Sequence, residues 1–563
     1  MYHKIYLIGL IIPIVLFSAC KKSFLEKPPT DAIVDAGFYK TDEQVMAGTA
    51  SLYNRVWFDY NDKAFYNLGD FRAGTAYSAW NDRGNVMFNT TAENGENNAS
   101  WAAFFNVVAQ SNLTMININK FASPDVTPAI KKMAIAEARF MRALAYRYLV
   151  MNWGEVPIIE NNLDYLTDTS LRKNTVPSVW RFITREMRAV AEDLPSTPYA
   201  PGRLTKWSAE GMLARFYLTR AGVESTGGQR KQEFLDSAKY YAQDVILNSG
   251  KSLLPNYADL FKYPYDNNSE SLFELEWVYQ PNSWGVQNSM PAYLNYGNDI
   301  ANGDGWGGDK SATWWMLSLY QGFTASGDTM LKGRTLDQRL KATYMLPGAS
   351  YPEITQTLNG VDQKLVFPYV SGDVNFASIK KFVVGKAKDV GGQAAQQDYP
   401  NDTYMQRLAE LYLIYAEATV GNNASTTDAT AVEYFNKVHT RAGLPPFTLT
   451  DPVTGDPTPL TFDDIFKERI LEFSFESTAW YDLVRLHYYN PQKAFSIINS
   501  QDRGLFNITP DVFPNPTSWT IKKTVWATTD RTVNANEGNF QLPIPSAEIS
   551  QAPNLAKPAV DYP

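Results

Sequence analysis

The chain has 563 residues and a formal net charge of −8, so no basic surplus exists to neutralise the phosphates of a nucleic-acid partner. It contains one cysteine and three histidines, which argues against disulfides, a Cys/His zinc site and a Ser-His-Asp or Cys-His nucleophile. A pair of carboxylates for glycoside hydrolysis is the catalytic option that composition leaves open.

The first twenty residues, MYHKIYLIGLIIPIVLFSAC, have the layout of a lipoprotein signal peptide. Lys4 precedes an apolar stretch that is too short to span a bilayer. Small residues then lead into Cys20, the only cysteine of the chain. We therefore predict a signal peptide over residues 1–19 and lipidation at Cys20. Two or three acyl chains would hold the protein on a membrane, whereas one chain alone binds only marginally.

Helical hairpins are predicted for the region up to about residue 260. Thr127-Pro128 is a helix start, with a capping hydroxyl followed by proline in the first turn. One apolar stripe follows at three- and four-residue spacing: Met133, Ala136, Phe140, Leu144 and Tyr148. Thr205 is expected to cap a second helix that ends before Gly222, and a third helix is expected to stop before Gly250. Helix, short turn and helix in this register are typical of tetratricopeptide-type hairpins.

The pattern changes between about 265 and 400. Apolar residues alternate with Glu274 and Glu276, which predicts one half-buried strand over Phe273–Tyr279, and long stretches rich in Pro, Gly and Asn follow. Helices are predicted again near Leu408–Tyr415, Val432–Ala442 and Phe462–Phe475, the last behind a Thr461-x-x-Asp464 capping box.

Two polar loops carry aromatic residues that are harder to explain as core than the other rings of the chain. A ligand-binding role and a packing role in the scaffold both stay open for them. One loop begins at Trp80-Asn81, and the other runs from Pro281 to Lys310. A flat aromatic ring covers the C–H face of a pyranose, while amide, carboxylate and guanidinium groups satisfy its hydroxyls. The candidate ligand-binding residues are Trp80, Asn81, Arg72, Trp284, Tyr296 and Trp306. No metal site is predicted, because the spacing of Asp299, Asp304 and Asp309 is not that of an EF-hand loop.

Seven segments, in order, resemble the RagB/SusD family from Cys20 to Leu555. They are CKKSFLEKPP, EARFMRALAYRYLVMNWGEVPII (Glu137–Ile159), GRLTKWSAEGMLARFYLTRA (Gly202–Ala221), RLAELYLIYAEA (Arg407–Ala418), HTRAGLP (His439–Pro445), ERILEFSFESTAWYDLVRL (Glu468–Leu486) and QLPIPSAEISQAPNL (Gln541–Leu555). We interpret most of the residues in these segments as structural. Arg142, Glu410, Arg469 and Asp482 in particular are expected to form buried ion pairs between helices.

The resemblance implies a mainly α protein, with tetratricopeptide-like hairpins as scaffold and an irregular, loop-rich binding region with minor β structure. It divides the chain into a signal peptide (1–19), a lipid-anchored tether (20–35), an N-terminal helical region (36–260) and a C-terminal region (261–563). It also implies a non-catalytic protein of the outer membrane, exposed on the surface, that captures glycan for a SusC-like TonB-dependent transporter without a cofactor.

Three other functions stay open at the level of sequence. The same fold could bind peptides or another nutrient, and the sequence does not separate that reading from glycan capture. A surface glycoside hydrolase would need an acidic pair, and none stands out beside the aromatic loops. A purely structural helical-repeat adaptor would account for the helices but would leave the tryptophan-rich loops unused.

Overall fold

The computed structural model describes residues 35–78, 83–165, 170–333, 335–368, 377–504, 506–524 and 531–563. Helices dominate these ranges, which confirms the predicted mainly α class. The helices are α1 (Asp35–Phe38), α2 (Asp42–Ala47), α3 (Arg83–Met87), α4 (Gly95–Phe121), α5 (Pro128–Trp153), α6 (Val176–Asp193), α7 (Lys206–Val223), α8 (Gln232–Asn248), α9 (Met290–Leu294), α10 (Trp314–Leu319), α11 (Arg339–Thr343), α12 (Leu408–Val420), α13 (Ala429–Arg441), α14 (Phe462–Phe473), α15 (Ala479–His487), α16 (Pro491–Asn499) and α17 (Ser546–Gln551). No helix in the described ranges is both long and apolar enough to cross a bilayer.

The strands are short and pair antiparallel in small sheets. They are β1 (Ala76–Ser78), β2 (Ser271–Leu275), β3 (Lys310–Ala312), β4 (Phe323–Ser326), β5 (Thr329–Lys332), β6 (Tyr344–Met345), β7 (Ser350–Leu358), β8 (Val361–Val366), β9 (Ser378–Ile379), β10 (Thr403–Arg407), β11 (Ser425–Thr426), β12 (Leu460–Thr461), β13 (Phe506–Pro510) and β14 (Trp519–Lys523). Two-stranded pairs join β1 to β3, β2 to β10, β6 to β9, β7 to β8 and β11 to β12, and one four-stranded sheet has the order β13-β14-β5-β4.

Consecutive packing of α4 to α8 builds the helical scaffold, each helix lying against the next. Lys132 at the start of α5 lies 4.0 Å from Asp193 at the end of α6, so these two helices run antiparallel. The predicted start of α5 is confirmed, but the Thr127 hydroxyl donates to Asp42 at 2.6 Å and does not cap the helix. The Thr205 cap of α7 and the Thr461–Asp464 capping box of α14 form as predicted.

Two sequence predictions about local structure were wrong. Helix α7 does not end before Gly222 but continues through it to Val223. Gly222 is there for packing, because a Cβ would lie 2.9 Å from the Tyr489 ring and 3.1 Å from the Arg485 carbonyl oxygen. Strand β2 stops at Leu275, and all five of its residues are buried, so it has no solvent-exposed face. It pairs edge to edge with β10, and Glu274 lies among other acidic groups in the interior.

Buried ion pairs connect the helices, as the sequence predicted for Arg142, Glu410, Arg469 and Asp482. Arg142 pairs with Glu186 between α5 and α6. Arg469 of α14 lies 3.1 Å from Glu410 of α12 and 2.7 Å from Asp482 of α15. Glu410 also accepts hydrogen bonds from Arg215 of α7, and all of these side chains are buried or nearly so. Buried charges are tolerated only when they are matched in this way.

Candidate functional site

The loop between β2 and β3 carries the exposed tryptophans of the molecule. Of the tryptophans that lie within the described ranges, only Trp284 and Trp306 are exposed, at 58% and 41%. Trp101 and Trp314 are buried, and Trp315 is half-buried. Both exposed tryptophans lie on this one loop, and exposed aromatic residues brought together mark interaction sites, so this loop is the candidate site.

Asn288 anchors the first half of the loop to two distant chain segments. Its backbone exchanges hydrogen bonds with Tyr399, and its side-chain amide donates to the Asn401 carbonyl oxygen at 2.7 Å. Its side-chain oxygen accepts from Asn61 at 2.8 Å. Asn61 lies in a π-helical turn, Tyr60–Ala64, and both asparagines are fully buried. The loop is therefore fixed by side-chain amides at a position where it has little regular structure.

Close backbone packing positions Trp306. A Cβ on Gly305 would lie 2.2 Å from the Gly297 backbone, and one on Gly307 would lie 2.4 Å from the Leu294 backbone. The Gly307 amide donates to the Asn295 carbonyl oxygen at 2.7 Å, and the Trp306 amide donates to the Ala292 carbonyl oxygen at 3.0 Å. Glycine is thus required on both sides of Trp306, and the contacts it allows present the ring to solvent from a fixed backbone.

Trp306 lies beside a second ring and several charges. Its ring centroid is 5.5 Å from that of Tyr293, and the Lys63 ammonium lies 5.4 Å from the Tyr293 centroid. Burial, and then the charges of Asp62 and Glu96, raise the pKa of Tyr293 to about 12. Burial also raises the pKa of Asp62, although its carboxylate accepts a hydrogen bond from Ser289 at 2.5 Å. Flat rings, acceptors and a cation are therefore gathered in one place.

Trp284 is supported from the same side of the chain. Its ring meets Phe58 edge to face at 5.3 Å, and its carbonyl oxygen accepts from the Arg55 guanidinium at 2.9 Å. Phe58 and Lys63 are five residues apart in one helical segment, so their backbones are separated by less than about 10 Å along its axis. The segment 55–63 therefore contacts Trp284 at one end and the partner ring of Trp306 at the other.

Tyr296 is half-buried and links the loop to neighbouring chain segments. Its hydroxyl donates to Asp299 at 2.5 Å and accepts from the Gln356 amide at 3.2 Å. Its ring packs edge to face on Phe367 at 5.0 Å. Its backbone runs beside Gly308, so the chain segments of Tyr296 and Trp306 are neighbours.

The other candidates from the sequence are placed differently. Arg72 is 1% exposed, stacks between Phe88 and Trp480, and donates to the Asn539 and Phe540 carbonyl oxygens, so it presents no face to a ligand. Cys20, Trp80 and Asn81 lie outside the described residues. Ser78, the last described residue before Trp80, donates to Asp309 at 2.7 Å at the end of the Trp306 loop.

The sequence reasoning missed Phe58, Asp62, Lys63, Glu96 and Tyr293. Four of these lie in helical segments that resemble ordinary scaffold, and their contacts with the loop are made across more than 190 residues of chain. A signal existed only for Tyr293, which lies within the predicted binding loop, Pro281 to Lys310, two positions after Pro291.

The acidic residues of the loop join separate networks. Asp304 is buried and accepts from the Tyr399 hydroxyl at 3.0 Å, and Asp309 pairs with Lys310 at 2.9 Å. Elsewhere, oxygens of Asp266, Glu274 and Asp402 come within 4.8 Å of one another. Burial raises the pKa of Glu274 to about 8 and that of Asp266 to about 6. Carboxylate oxygens are ligands that hard cations prefer, so these three side chains could hold one.

Known protein families and relatives match nearly the whole length of the chain. Residues 269–561 match the model of the SusD family, and residues 24–218 match a model described as starch-binding, associating with outer membrane. A SusD-like protein of Bacteroides ovatus is 34% identical over 562 residues, covering 97% of this chain and 96% of that protein. The starch-binding protein SusD of Bacteroides thetaiotaomicron is 25% identical over 64% of this chain and 65% of its own length.

Solved structures show the same architecture. A crystal structure with xylogluco-oligosaccharide is 31% identical, covers 92% of this chain and 99% of that chain, and has a TM-score of 0.78. The surface glycan-binding protein A of Bacteroides thetaiotaomicron, in complex with laminarihexaose, is 21% identical with a TM-score of 0.63 and covers 91% of this chain and 98% of its own. The second likeness supports the fold.

Proposed function

The chain belongs to the SusD family, a family of glycan-binding proteins, and from that premise we propose that it captures oligosaccharides at the outer membrane without cleaving them and delivers them to a SusC-type TonB-dependent transporter. The observation that carries the proposal is the pair of exposed tryptophans, Trp284 and Trp306, on a loop fixed by backbone contacts.

The chemistry of the loop suits sugars. Each indole offers an apolar face on which the C–H groups of a pyranose can stack. Asp62, Lys63 and Glu96 lie around Tyr293, and they provide the acceptors and the donor that ring hydroxyls need. Tyr296 adds a half-buried ring to the loop, and its backbone lies beside Gly308, close to the chain segment of Trp306. Trp284, Tyr296 and Trp306 are therefore the residues of the described chain that we assign to glycan contact.

We take a xyloglucan-derived oligosaccharide as the first ligand to test. The reason is that the solved structure with xylogluco-oligosaccharide is 31% identical to this chain across 92% of its length. Two separated aromatic rings also fit an extended backbone of several sugar units better than a single monosaccharide.

The N-terminus and the family support the proposed anchor and location. Cys20 after an apolar signal stretch supports lipidation, and a matching family model is described as associating with outer membrane. A lipid-anchored, surface-exposed protein of this kind needs a partner to move its ligand inward, which is the role proposed for the transporter.

Calorimetric titration of the chain from residue 21 onward tests the proposal directly. The panel contains xyloglucan, cello-, laminari- and malto-oligosaccharides and a mixed peptide pool, and reducing ends are counted afterwards. We expect saturable binding to one glycan class with the polymer intact. Saturable binding to peptides alone would show that the protein captures a nutrient other than glycan. Release of reducing ends would show that it is a hydrolase. Co-purification of the full chain with a TonB-dependent barrel from its native membrane tests the partner.

A further inference from the structure

A cavity of about 820 Å³ lies outside the tryptophan loop. Its walls come from the 3-10 turn Tyr257–Phe261, from α11, and from the adjoining ends of β5, β7 and β14. None of the residues that contact Trp284 or Trp306 lines it. Its volume is in the usual range for small-molecule sites, about 300–1,000 Å³.

The greater part of the wall is apolar. Leu336, Leu340, Leu346, Tyr351, Pro516 and Trp519 line it, and of these Leu336 is 57% exposed. The Trp519 indole nitrogen donates to the Pro347 carbonyl oxygen at 2.8 Å, so its hydrogen-bond donor is already used and its ring is left for apolar contact. A ligand that fills this space needs an apolar body.

Lysines supply most of the charge of the wall. The ammonium groups of Lys341 and Lys380 lie 5.4 Å and 5.9 Å from the centroid of one ring, that of Tyr351. Burial lowers the pKa of Lys380, and the positive charges of Lys262 and Lys341 lower it further, whereas the negative charge of Glu353 raises it. Like charges gathered in a partly apolar wall repel one another, and an anion between them would relieve that repulsion.

Lys262 is paired with Asp259 at 2.8 Å, but the carboxylates of the described wall do not balance the other lysines. Asp337 is held by Arg339 at 2.9 Å, with both side chains fully buried. Glu353 lies 3.6 Å from Lys380 and is the remaining acidic group in the described wall. Lys341 is exposed and has no carboxylate within 4 Å among the described residues.

Lys332 adds a further cation to the wall. It stands opposite Trp519 in the β14–β5 register, so both side chains lie on the same face of the sheet. It is fully buried, and within the described chain its ammonium donates only to the Gly333 carbonyl oxygen, at 2.6 Å. Burial lowers the pKa of Lys332 to about 8, so it is still mostly charged at pH 7.

We propose that this cavity is a second binding site, for an organic anion with an apolar body, whose acidic group lies between Lys341 and Lys380 and whose body packs on Leu336, Leu340 and Trp519. A neutral sugar leaves the lysine charge unmatched, and a small inorganic anion leaves the apolar space unfilled. The site is independent of the proposed glycan site.

Titration with cinnamate, cinnamyl alcohol and acetate tests the proposal, because the alcohol keeps the body without the charge and acetate keeps the charge without the body. We expect saturable binding of cinnamate to the folded chain, at least about tenfold tighter than either analogue. Lys341→Gln should weaken cinnamate binding about tenfold, because it removes one charge-assisted hydrogen bond to the acidic group.

Lys364→Gln is the matched control, since Lys364 is an exposed lysine on β8 outside the cavity. Equal affinity for cinnamate and cinnamyl alcohol would overturn the proposal, as would equal binding by the two lysine variants or no saturation by cinnamate. Displacement of cinnamate by glucuronate at equal concentration would assign the cavity to acidic sugars and overturn the apolar part. Trp306→Ala should leave cinnamate binding unchanged, so failure of the glycan site is distinguishable from failure of this one.

Discussion

Phe58 and Trp284 meet edge to face, with ring centroids 5.3 Å apart and planes at 67°. They are separated by more than 220 residues of chain, and the contact leaves the outer part of the indole exposed. Edge-to-face pairs of this geometry contribute about 0.5–1.5 kcal/mol beyond the area they bury. The exposed ring is thus held by a second aromatic residue, and the scaffold segment 55–63 supports the proposed binding surface.

Removing either exposed indole should weaken glycan binding. Trp284→Ala and Trp306→Ala each lose a flat apolar contact worth about 1–2 kcal/mol, which is about five- to thirtyfold in Kd. Calorimetry with the oligosaccharide that binds the unmodified chain measures the change. Tyr240→Ala is the control, because Tyr240 is 63% exposed on α8, and it should bind as the unmodified chain does. Unchanged affinity in both tryptophan variants would remove these residues from the site.

Crowding the backbone beneath Trp306 should act on binding through geometry. Gly307→Ala places a Cβ 2.4 Å from the Leu294 backbone, so the loop must shift at a cost of about 1–3 kcal/mol. We expect a lower glycan affinity and a small fall in Tm. Gly333→Ala, where nothing lies within 4 Å of the added carbon, should change neither quantity. If Gly307→Ala binds normally, the close backbone contact does not position the ring.

The acidic cluster predicts a loss of stability as pH rises. Burial raises the pKa of Glu274 from its ordinary value of 4.5 to about 8 in the folded protein. The folded state therefore holds a proton that the unfolded state releases, and the free energy of unfolding falls between about pH 4.5 and pH 8. Urea unfolding in EDTA-containing buffers should show this slope.

Glu274→Gln should flatten that slope. The variant keeps the size of the side chain without its charge, so above pH 8 it should be more stable than the unmodified chain by about 2–4 kcal/mol. The exposed Glu433→Gln serves as the comparison and should follow the unmodified profile. Parallel curves for the Glu274 variant and the unmodified chain would show that the carboxyl does not titrate in this range.

Breaking the buried ion-pair network should cost far more than breaking a surface pair. Arg469→Ala leaves Asp482 and Glu410 with one cation fewer in the interior, at about 3–5 kcal/mol. Lys437→Ala removes an exposed contact of 3.2 Å with Glu433 and should cost less than about 1 kcal/mol. Denaturant unfolding of the two variants measures both losses in the free energy of unfolding. Similar losses in both would show that burial does not set the strength of these pairs.

Local sequence signals predicted most of the scaffold, because capping residues and apolar stripes act within a few residues, although Gly222 does not end α7 and Thr127 does not cap α5. Helix α14 begins at its capping box, and Trp284 and Trp306 are exposed in the glycine-rich loop where the sequence placed them. Arg72 shows where such reasoning ends. It looked like a polar neighbour of a binding loop, but its partner ring, Trp480, is 408 positions away, and only the tertiary fold brings the two together.

Asn288 ties the tryptophan loop to Asn61, Tyr399 and Asn401 before any ligand arrives. A platform assembled in advance has little conformational entropy left to lose on binding. The entropic penalty of capture then falls mainly on the flexible saccharide. Stiffer oligosaccharides should therefore gain affinity, because they have less motion of their own to lose, and encounter with the surface should proceed without a slow rearrangement of the protein.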